Sequence, residues 1–497
     1  MLRATLSAAP PLVVASPVVA NAPTGPRLGT KTPHAVSALV FSALLSVGCA
    51  GHSARTLEAR QALDAGEPKR ALALYNEELD VKSAADLPDD VSGENSLLLL
   101  DRSMILQQLD EFQLSSRDLE TADKQIEMLD FSRSALDDIG KYVFSDDTGP
   151  YKAPPYEKLM INTMNMVNYL TRGDLSGARV EARRLAVMQK YLRDHEDPAR
   201  AMMAPGSYFA GFVFEKSGSP DTALRYYDEA LSYGTFPSLV EPVRRLQQIS
   251  GYDSPRLREL VADAEAKGES STEPSPRPDA EGTEGSTEAA ATSPKAAELL
   301  VIVSYGRVPA KVAKRIPIGL ALTYASGFMS PADASQANAL AAQGLVTWVN
   351  YPELEKQNRR LQTPGFALNG RWQTLEGVLA VDREAKASFE RQRGAIVASA
   401  ITRMISRVVA GQAARVAGGN NDALGLLLSL GTQAALTAAD TPDTRSWATL
   451  PARITVGRVR VPPGEHTVRL QAQGVRKEAK VKLAPGGWAA LSLTVLE

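Results

Sequence analysis

A 27-residue stretch near the middle of the chain separates two sequences of different texture, and it limits how the whole can fold. Residues 268–294 are rich in Ser, Thr, Pro, Gly and Glu, with six acids against one Arg. So little apolar surface cannot offset the entropy of ordering, so a disordered tether is expected, kept extended by its acidic charge. The expectation that follows is two independently folded halves. A length of 497 residues suits two or three domains, and 44% hydrophobic residues suffice for ordinary cores.

Composition removes several function classes. A net charge of -2 does not indicate a large basic face for nucleic acid. One cysteine excludes an intramolecular disulfide and a Cys-rich zinc site. His34, His52, His195 and His466 are scattered, and the first two flank an apolar run. No His-Glu-x-x-His pair, phosphate-binding Gly-Lys-Ser/Thr loop or Gly-x-Ser-x-Gly elbow occurs. No catalytic residue, metal or cofactor is therefore assigned, and a non-enzymatic role is expected.

Residues 1–34 hold Arg3, Arg27 and Lys31 as their only side-chain cations and no acid. Residues 35–48 are an apolar run of 14, the length of a signal-peptide core and short for a membrane span. The run ends in Leu45-Ser46-Val47-Gly48-Cys49-Ala50, and Cys49 is the sole cysteine. This resembles the lipobox of bacterial lipoproteins. The resemblance implies cleavage between Gly48 and Cys49, acylation of the thiol, and a mature chain starting at Cys49. Ser46 departs from the pattern, in which Leu is usual at that place. Ala50 implies sorting to the outer membrane, facing the periplasm.

Residues 53–267 read as successive helices with similar turns. Gly66-Glu67-Pro68 precedes Ala71 and Tyr75, Gly173-Asp174 precedes Ala178 and Ala182, and Gly218-Ser219-Pro220 precedes Ala223, Tyr227 and Ala230. With Gly211 and Phe214 on the preceding helix, the last unit resembles a tetratricopeptide repeat. Small residues at Gly211 and Ala223 let helices approach, and Phe214 and Tyr227 fill grooves between hairpins. Tyr169 and Ala178 take these places in the third unit. The second unit, with Leu106, Ser115, Leu119 and Ala122, is degenerate. Ala71, Ser115, Ala178 and Ala223 lie 44, 63 and 45 residues apart, whereas such arrays repeat every ~34. A degenerate solenoid over 49–267 is expected, with insertions around 144–155. Leu159, Met160, Thr163, Met166, Val167 and Leu170 form an apolar stripe, read as core ahead of an adaptable binding surface. Glu181, Arg183 and Arg184 are read as a solvated face.

Beyond the linker the pattern shortens. All four tryptophans, Trp348, Trp372, Trp447 and Trp488, lie here. Residues 299–305 and 345–351 read as buried strands. From 454 onward strands alternate with turns, and Thr467, Val468, Leu470, Ala490, Leu491 and Leu493 suit half-buried antiparallel strands. This tail resembles PEGA-like small β-sandwich modules. A helical insertion is expected at 384–440. Ile396, Ala400, Met404 and Val408 recur every four residues, and residues 423–439 carry no charge. The insertion is read as packed on protein. The other reading is a membrane hairpin eased by Gly425 and Ser429, which would have to bury Arg403 and Arg407 at about 2.5–3.5 kcal/mol each. The expected fold class is α+β multidomain: a tetratricopeptide-like solenoid, a linker over 268–295, and a β-rich domain over 296–497.

The chain resembles an uncharacterised family of bacterial lipoproteins with tetratricopeptide-like N-terminal halves. The carrying residues are Pro155-Tyr-Glu-Lys-Leu-Met-Ile-Asn, Asn168-Tyr-Leu-x-x-Gly-Asp174, Glu181-Ala-Arg-Arg-Leu185 and Asp443-Thr-Arg-Ser-Trp-Ala-Thr-Leu-Pro451. Members are often encoded near lipoproteins that activate peptidoglycan synthases, so the resemblance implies envelope biology and no particular reaction. The expected role is a lipid-anchored scaffold whose concave helical face binds an envelope protein. The alternatives are an accessory of a pore, export or peptidoglycan-synthesis assembly, with the hairpin serving oligomerisation or insertion, and an enzyme of the envelope. For an enzyme, the run Asp443-Thr-Arg445-Ser-Trp447 is the polar cluster to inspect, though Asp443 and Arg445 are expected to pin a helix–strand junction.

Overall fold

A computed structural model describes residues 51–128, 151–194, 200–267, 296–344, 346–357, 360–417 and 442–497. The signal segment 1–48, Cys49, the linker 268–295 and the charge-free 423–439 lie outside the described residues.

The N-terminal half is helical, as its 3.6-residue patterning predicts. Its helices are α1 (His52–Arg55), α2 (Leu57–Asp64), α3 (Pro68–Glu78), α4 (Glu94–Gln108), α5 (Phe112–Gln125), α6 (Pro155–Thr171), α7 (Leu175–Asp194), α8 (Met203–Lys216), α9 (Pro220–Leu231), α10 (Val240–Gln247) and α11 (Pro255–Ala266). They pack as sequential pairs, α2 with α3, α4 with α5, α6 with α7 and α8 with α9. One turn chemistry joins each pair. Gly66, Gly173 and Gly218 adopt φ near +72°, and the next residue's N–H returns to a carbonyl of the preceding helix. Asp110 adopts φ 64° at the same place between α4 and α5. The degenerate unit thus keeps the turn without its glycine.

The pairs divide into an inner and an outer row. On α4, α6 and α8 nearly every residue is buried, so these helices are covered all round. The Met-rich α6 is therefore core, as expected, but it is not a one-sided stripe, because Ile161 and Met164 are buried as well. The second helices α5, α7 and α9 are half-exposed.

What covers the inner row is the chain's own β-sheet. Strands β1 (Glu127–Met128) and β2 (Lys152–Ala153) form a short parallel pair. Beyond the linker come β3 (Ala297–Arg307), β4 (Lys311–Pro317), α12 (Ile318–Ala325), α13 (Pro331–Ala342), β5 (Trp348–Leu354), β6 (Gly365–Leu368), β7 (Arg371–Gln373), β8 (Glu376–Leu379), α14 (Val381–Ala417), β9 (Pro451–Val461), β10 (Gly464–Ala472), β11 (Val475–Leu483) and β12 (Trp488–Val495). One sheet has the order β12-β3-β9-β8, with β12 parallel to β3 and the other pairs antiparallel. A second, antiparallel sheet has the order β11-β10-β6-β7.

Strand β3 explains the layering. Alternate residues on a strand point to opposite faces. Leu299, Val301 and Val303 share a core with Phe366, Val468 and Leu470 of the second sheet. Leu300 and Ile302 join Ile454, Val456 and Ala490 in the same core as the helices. Its continuous apolar run is the signature of a strand covered on both faces. The helical and strand halves therefore share one hydrophobic core, which corrects the expectation of independent halves: the sheet needs the helices to cover its second face.

A third cluster forms a lobe. Strands β4 and β5 pair antiparallel, with α12 and α13 between them, and α14 lies across. Val397, Ala400, Ile401 and Ile405 of α14 pack with Ile316, Ala321, Val349 and Tyr351. The first part of the expected insertion thus packs on protein. Its helix begins at Val381, three residues before the expected boundary. Among the described residues, no helix is long and apolar enough to cross a membrane.

Candidate functional site

Where helices meet sheet, apolar packing is interrupted by two seams of buried charge. The first lies under residues 442–450. These residues have no regular structure, and most of their side chains are buried. Thr444, Ser446, Trp447 and Thr449 bond to the helical half or to β4. The Ser53 N–H donates to Thr444 Oγ1 at 3.2 Å, and the Lys311 N–H donates to Ser446 Oγ at 3.3 Å. The Trp447 indole Nε1–H donates to the Leu100 carbonyl at 3.1 Å, and its backbone N–H to Glu157 Oε1 at 3.3 Å. Thr449 gives both its N–H and its hydroxyl to Asp101, each 2.9 Å from Oδ1. Arg445 is buried and grips Asp443 with two bonds of 2.9 Å. Burial works against the Asp443 carboxylate, but the Arg445 guanidinium holds it below the usual range. Asp443 and Arg445 thus tie the segment to itself, and the helix side of the junction they were expected to pin lies outside the described residues.

Asp101 continues the seam to the start of the described chain. His52, 2% exposed, has Nδ1 3.0 Å from Glu94 Oε1 and Nε2 3.4 Å from Asp101 Oδ2. Burial disfavours the imidazolium, but the Asp101 and Glu94 carboxylates facing its two ring nitrogens outweigh it and raise the pKa above 6.5. The Tyr75 hydroxyl is fully buried nearby. Burial first, then the Asp101 charge, push it well above 10. His52 Nε2, Asp101 Oδ2, Tyr75 Oη and Arg60 Nε make no conventional hydrogen bond. Glu157, also buried, accepts from the Tyr151 hydroxyl, and burial raises its pKa.

A His between two carboxylates resembles acid–base machinery, but at 2% exposure His52 has almost no contact with solvent. A cavity of about 30 Å³ lies beside Glu157, lined among others by Lys311, Ser446 and Trp447 and by none of His52, Glu94 and Asp101. That is room for one or two waters, and a substrate needs roughly 300 Å³ or more. Among the described residues, no group of three His, Cys, Asp or Glu is set to hold a metal.

The second seam centres on Arg458 of β9. Its guanidinium reaches Glu215 at 2.6 and 2.8 Å, the Tyr227 hydroxyl at 2.9 Å, and Glu298 of β3. It lies 5.0 Å from the Phe212 ring centroid. Lys216 also pairs with Glu215 and Glu298, and Arg245 with Glu215 at 2.7 Å. Burial opposes ionisation of Glu215, but Arg458, Lys216 and Arg245 hold it well below 4.5.

The repeat residues sit as follows. Ala71, Tyr75, Ala178, Ala223, Tyr227 and Ala230 are fully buried, Phe214 is 8% exposed, and Tyr169 is half-buried. A Cβ on Gly211 would lie 2.3 Å from the Tyr227 ring. Tyr227 therefore does more than fill a groove between hairpins: it crosses Gly211 to reach Arg458. Glu181 is also corrected. It is 2% exposed, accepts from Asn162 at 2.9 Å and pairs with Arg184 at 3.1 Å, so it lies in the core, not on a solvated face.

Sequence reading passed over His52, Asp101, Glu157, Glu215, Glu298 and Arg458. A signal was present for some. Asp101-Arg102 interrupts the run of apolar residues 97–106, and a charge inside such a run must find a partner. Arg102 finds Asp118 at 2.6 and 3.0 Å. Comparison with protein-family models and with curated protein sequences found no match.

Proposed function

We propose that the chain is a lipoprotein of the bacterial envelope, acylated at Cys49 and serving as a protein-binding scaffold. The carrying observation joins sequence and structure. The sole cysteine follows an apolar run, and three residues later His52 is buried between Glu94 and Asp101. Three residues span at most about 11 Å. The lipid would therefore hold the folded body itself at the membrane, with no flexible stalk between them. Outer-membrane sorting facing the periplasm, and membership of the lipoprotein family that the chain resembles, belong to the same proposal.

The helical half is read as a degenerate tetratricopeptide-like solenoid and the sheets as a β-sandwich-like module. The inner helical row already carries the chain's own sheet. A partner would therefore meet the outer row. There Val180 and Val187 of α7, seven residues apart and so on one face, are 45% and 70% exposed, with Arg183 and Arg184 exposed between them.

Changing Cys49 to Ser tests the anchor. The variant should leave the membrane fraction or accumulate unprocessed; maturation and fractionation like wild type would refute it. Photo-crosslinking from position 187 in intact envelopes tests the scaffold. A discrete adduct lost in Val180→Glu is expected, and no adduct would count against that face.

A further inference from the structure

We infer that the lobe built from β4, α12, α13, β5 and α14 rests on the lipid bilayer as a second, non-covalent membrane contact beside the acyl group. This rests on the lipoprotein reading above. One stretch of the lobe, from the end of β4 through α12 and α13 into β5, is unusual in composition. From residue 316 to residue 352, 37 residues, Asp333 is the only charged side chain. Leu320, Phe328 and Trp348 are 42%, 41% and 45% exposed.

The fold sets Leu320 beside Trp348 at the start of α12 and Phe328 past its other end, against α14. Trp348 stands opposite Pro317 in the β4–β5 pair, and the Ile318 N–H donates to the Thr347 carbonyl at 3.0 Å. The start of α12, which carries Leu320, therefore lies beside Trp348. Phe328 lies on Gly394 of α14, where a Cβ would be 2.4 Å from the ring. Arg315 is exposed on β4, opposite Asn350, at the border of the uncharged surface. Tryptophan at an apolar border with a cation behind it is the arrangement favoured at a membrane–water boundary.

Chain length says why a bilayer is the occupant. Cys49 lies within about 11 Å of the His52 backbone, and α1 packs directly on β4. Strand β4 is seven residues long, about 23 Å. Acylation therefore holds the uncharged surface a few nanometres from lipid at high effective concentration. A few exposed apolar side chains give weak binding alone, and stable attachment takes two signals together. A second copy of the chain is the poorer fit, since a stable dimer needs about 800 Å² from each partner and polar Ser326, Thr323 and Gln343 interrupt this surface.

The test uses the full chain with Cys49→Ser, so that acylation contributes nothing. It is mixed with vesicles of phosphatidylethanolamine and phosphatidylglycerol and sedimented. Measurable binding is expected. Leu320→Ser with Phe328→Ser and Trp348→Ser should weaken it about tenfold or more. Leu320→Ser alone, on an exposed side chain outside the packed core, should weaken it two- to threefold, roughly, and guards against misfolding of the triple variant. Binding that is absent, or equal in all variants, overturns the proposal. So does a triple variant that loses self-association while vesicle binding stays the same, which would make the surface an interface between copies. Fractionation of Cys49→Ser in cells reports on the anchor separately, so failure of the anchor and failure of the lobe are distinguishable.

Discussion

The two buried seams hold the same two layers together in opposite ways. Around Arg458 every charge has several opposite partners: Glu215 meets three cations, and Arg458 meets two carboxylates and a phenol. Around His52 the partners are fewer and the geometry looser, with a 3.4 Å approach to Asp101 and several polar atoms lacking a conventional hydrogen bond. A saturated network of buried charges locks one arrangement, because any other leaves a charge unpaired. The looser seam keeps a titratable group three residues from Cys49. The Arg458 seam is thus a rivet, and the His52 seam is the looser part of the interface.

The largest expected effect breaks the rivet. Arg458→Ala leaves Glu215 and Glu298 buried without their main partner, and it should lower stability by about 3–5 kcal/mol. Denaturant unfolding measures it, and a loss under about 1 kcal/mol would mean that the network contributes little. A nick within 268–294 sharpens the same point. The shared core should keep both fragments in one particle on gel filtration; separate elution would restore the picture of independent halves.

Next comes Gly211→Ala. Its Cβ would meet the Tyr227 ring, and overpacking costs roughly 1–3 kcal/mol. Because Tyr227 also holds Arg458, a double-mutant cycle with Tyr227→Phe should be non-additive. Thr449→Val removes one hydroxyl donor from buried Asp101 and should cost about 1–3 kcal/mol. The crystal structure of that variant should show residues 442–450 displaced, and an undisturbed segment would argue that Trp447 alone pins it.

The smallest effect separates the seams by pH. The raised pKa of His52 gives a stabilisation that is complete below 6.5 and lost as pH climbs through the folded value. The lowered pKa values of Glu215 and Glu298 give one present above 4.5 and lost as pH falls. The protection of the Leu100 and Trp447 amides against hydrogen exchange, taken relative to their intrinsic exchange rates, should therefore fall on the alkaline side. His52→Gln should flatten that limb and leave the acid limb alone, and an unchanged alkaline limb would remove His52 from the account.

Local regularities were legible wherever they involve neighbours in the chain. The turn glycines Gly66, Gly173 and Gly218, the apolar spacing of the helices and the unbroken run of β3 each depend on residues within a few positions. Strands β10 and β11 were legible for the same reason, since alternation has a period of two, whereas β12, expected to be half-buried and antiparallel, pairs parallel with β3 and is buried without alternation. The buried pairing of the 443–450 segment was only half legible. Asp443 and Arg445 sit two residues apart, but Trp447 finds Leu100 and Thr449 finds Asp101 across more than three hundred residues.

Sequence by itself therefore determined the helices of 53–267, strand β3, the lipobox-like end at Cys49 and the acidic character of 268–294, while β4, α12, α13 and β6 to β8 carried no pattern that announced them. Tertiary structure alone decided that the helices and sheet share a core. A strand with two apolar faces states that both must be covered and says nothing of what covers them. It also decided the fate of the charges. Glu181 reads as part of a solvated face and Glu215 and Arg458 carry no local mark, because whether a charge is solvated or paired depends on a partner that no local pattern names.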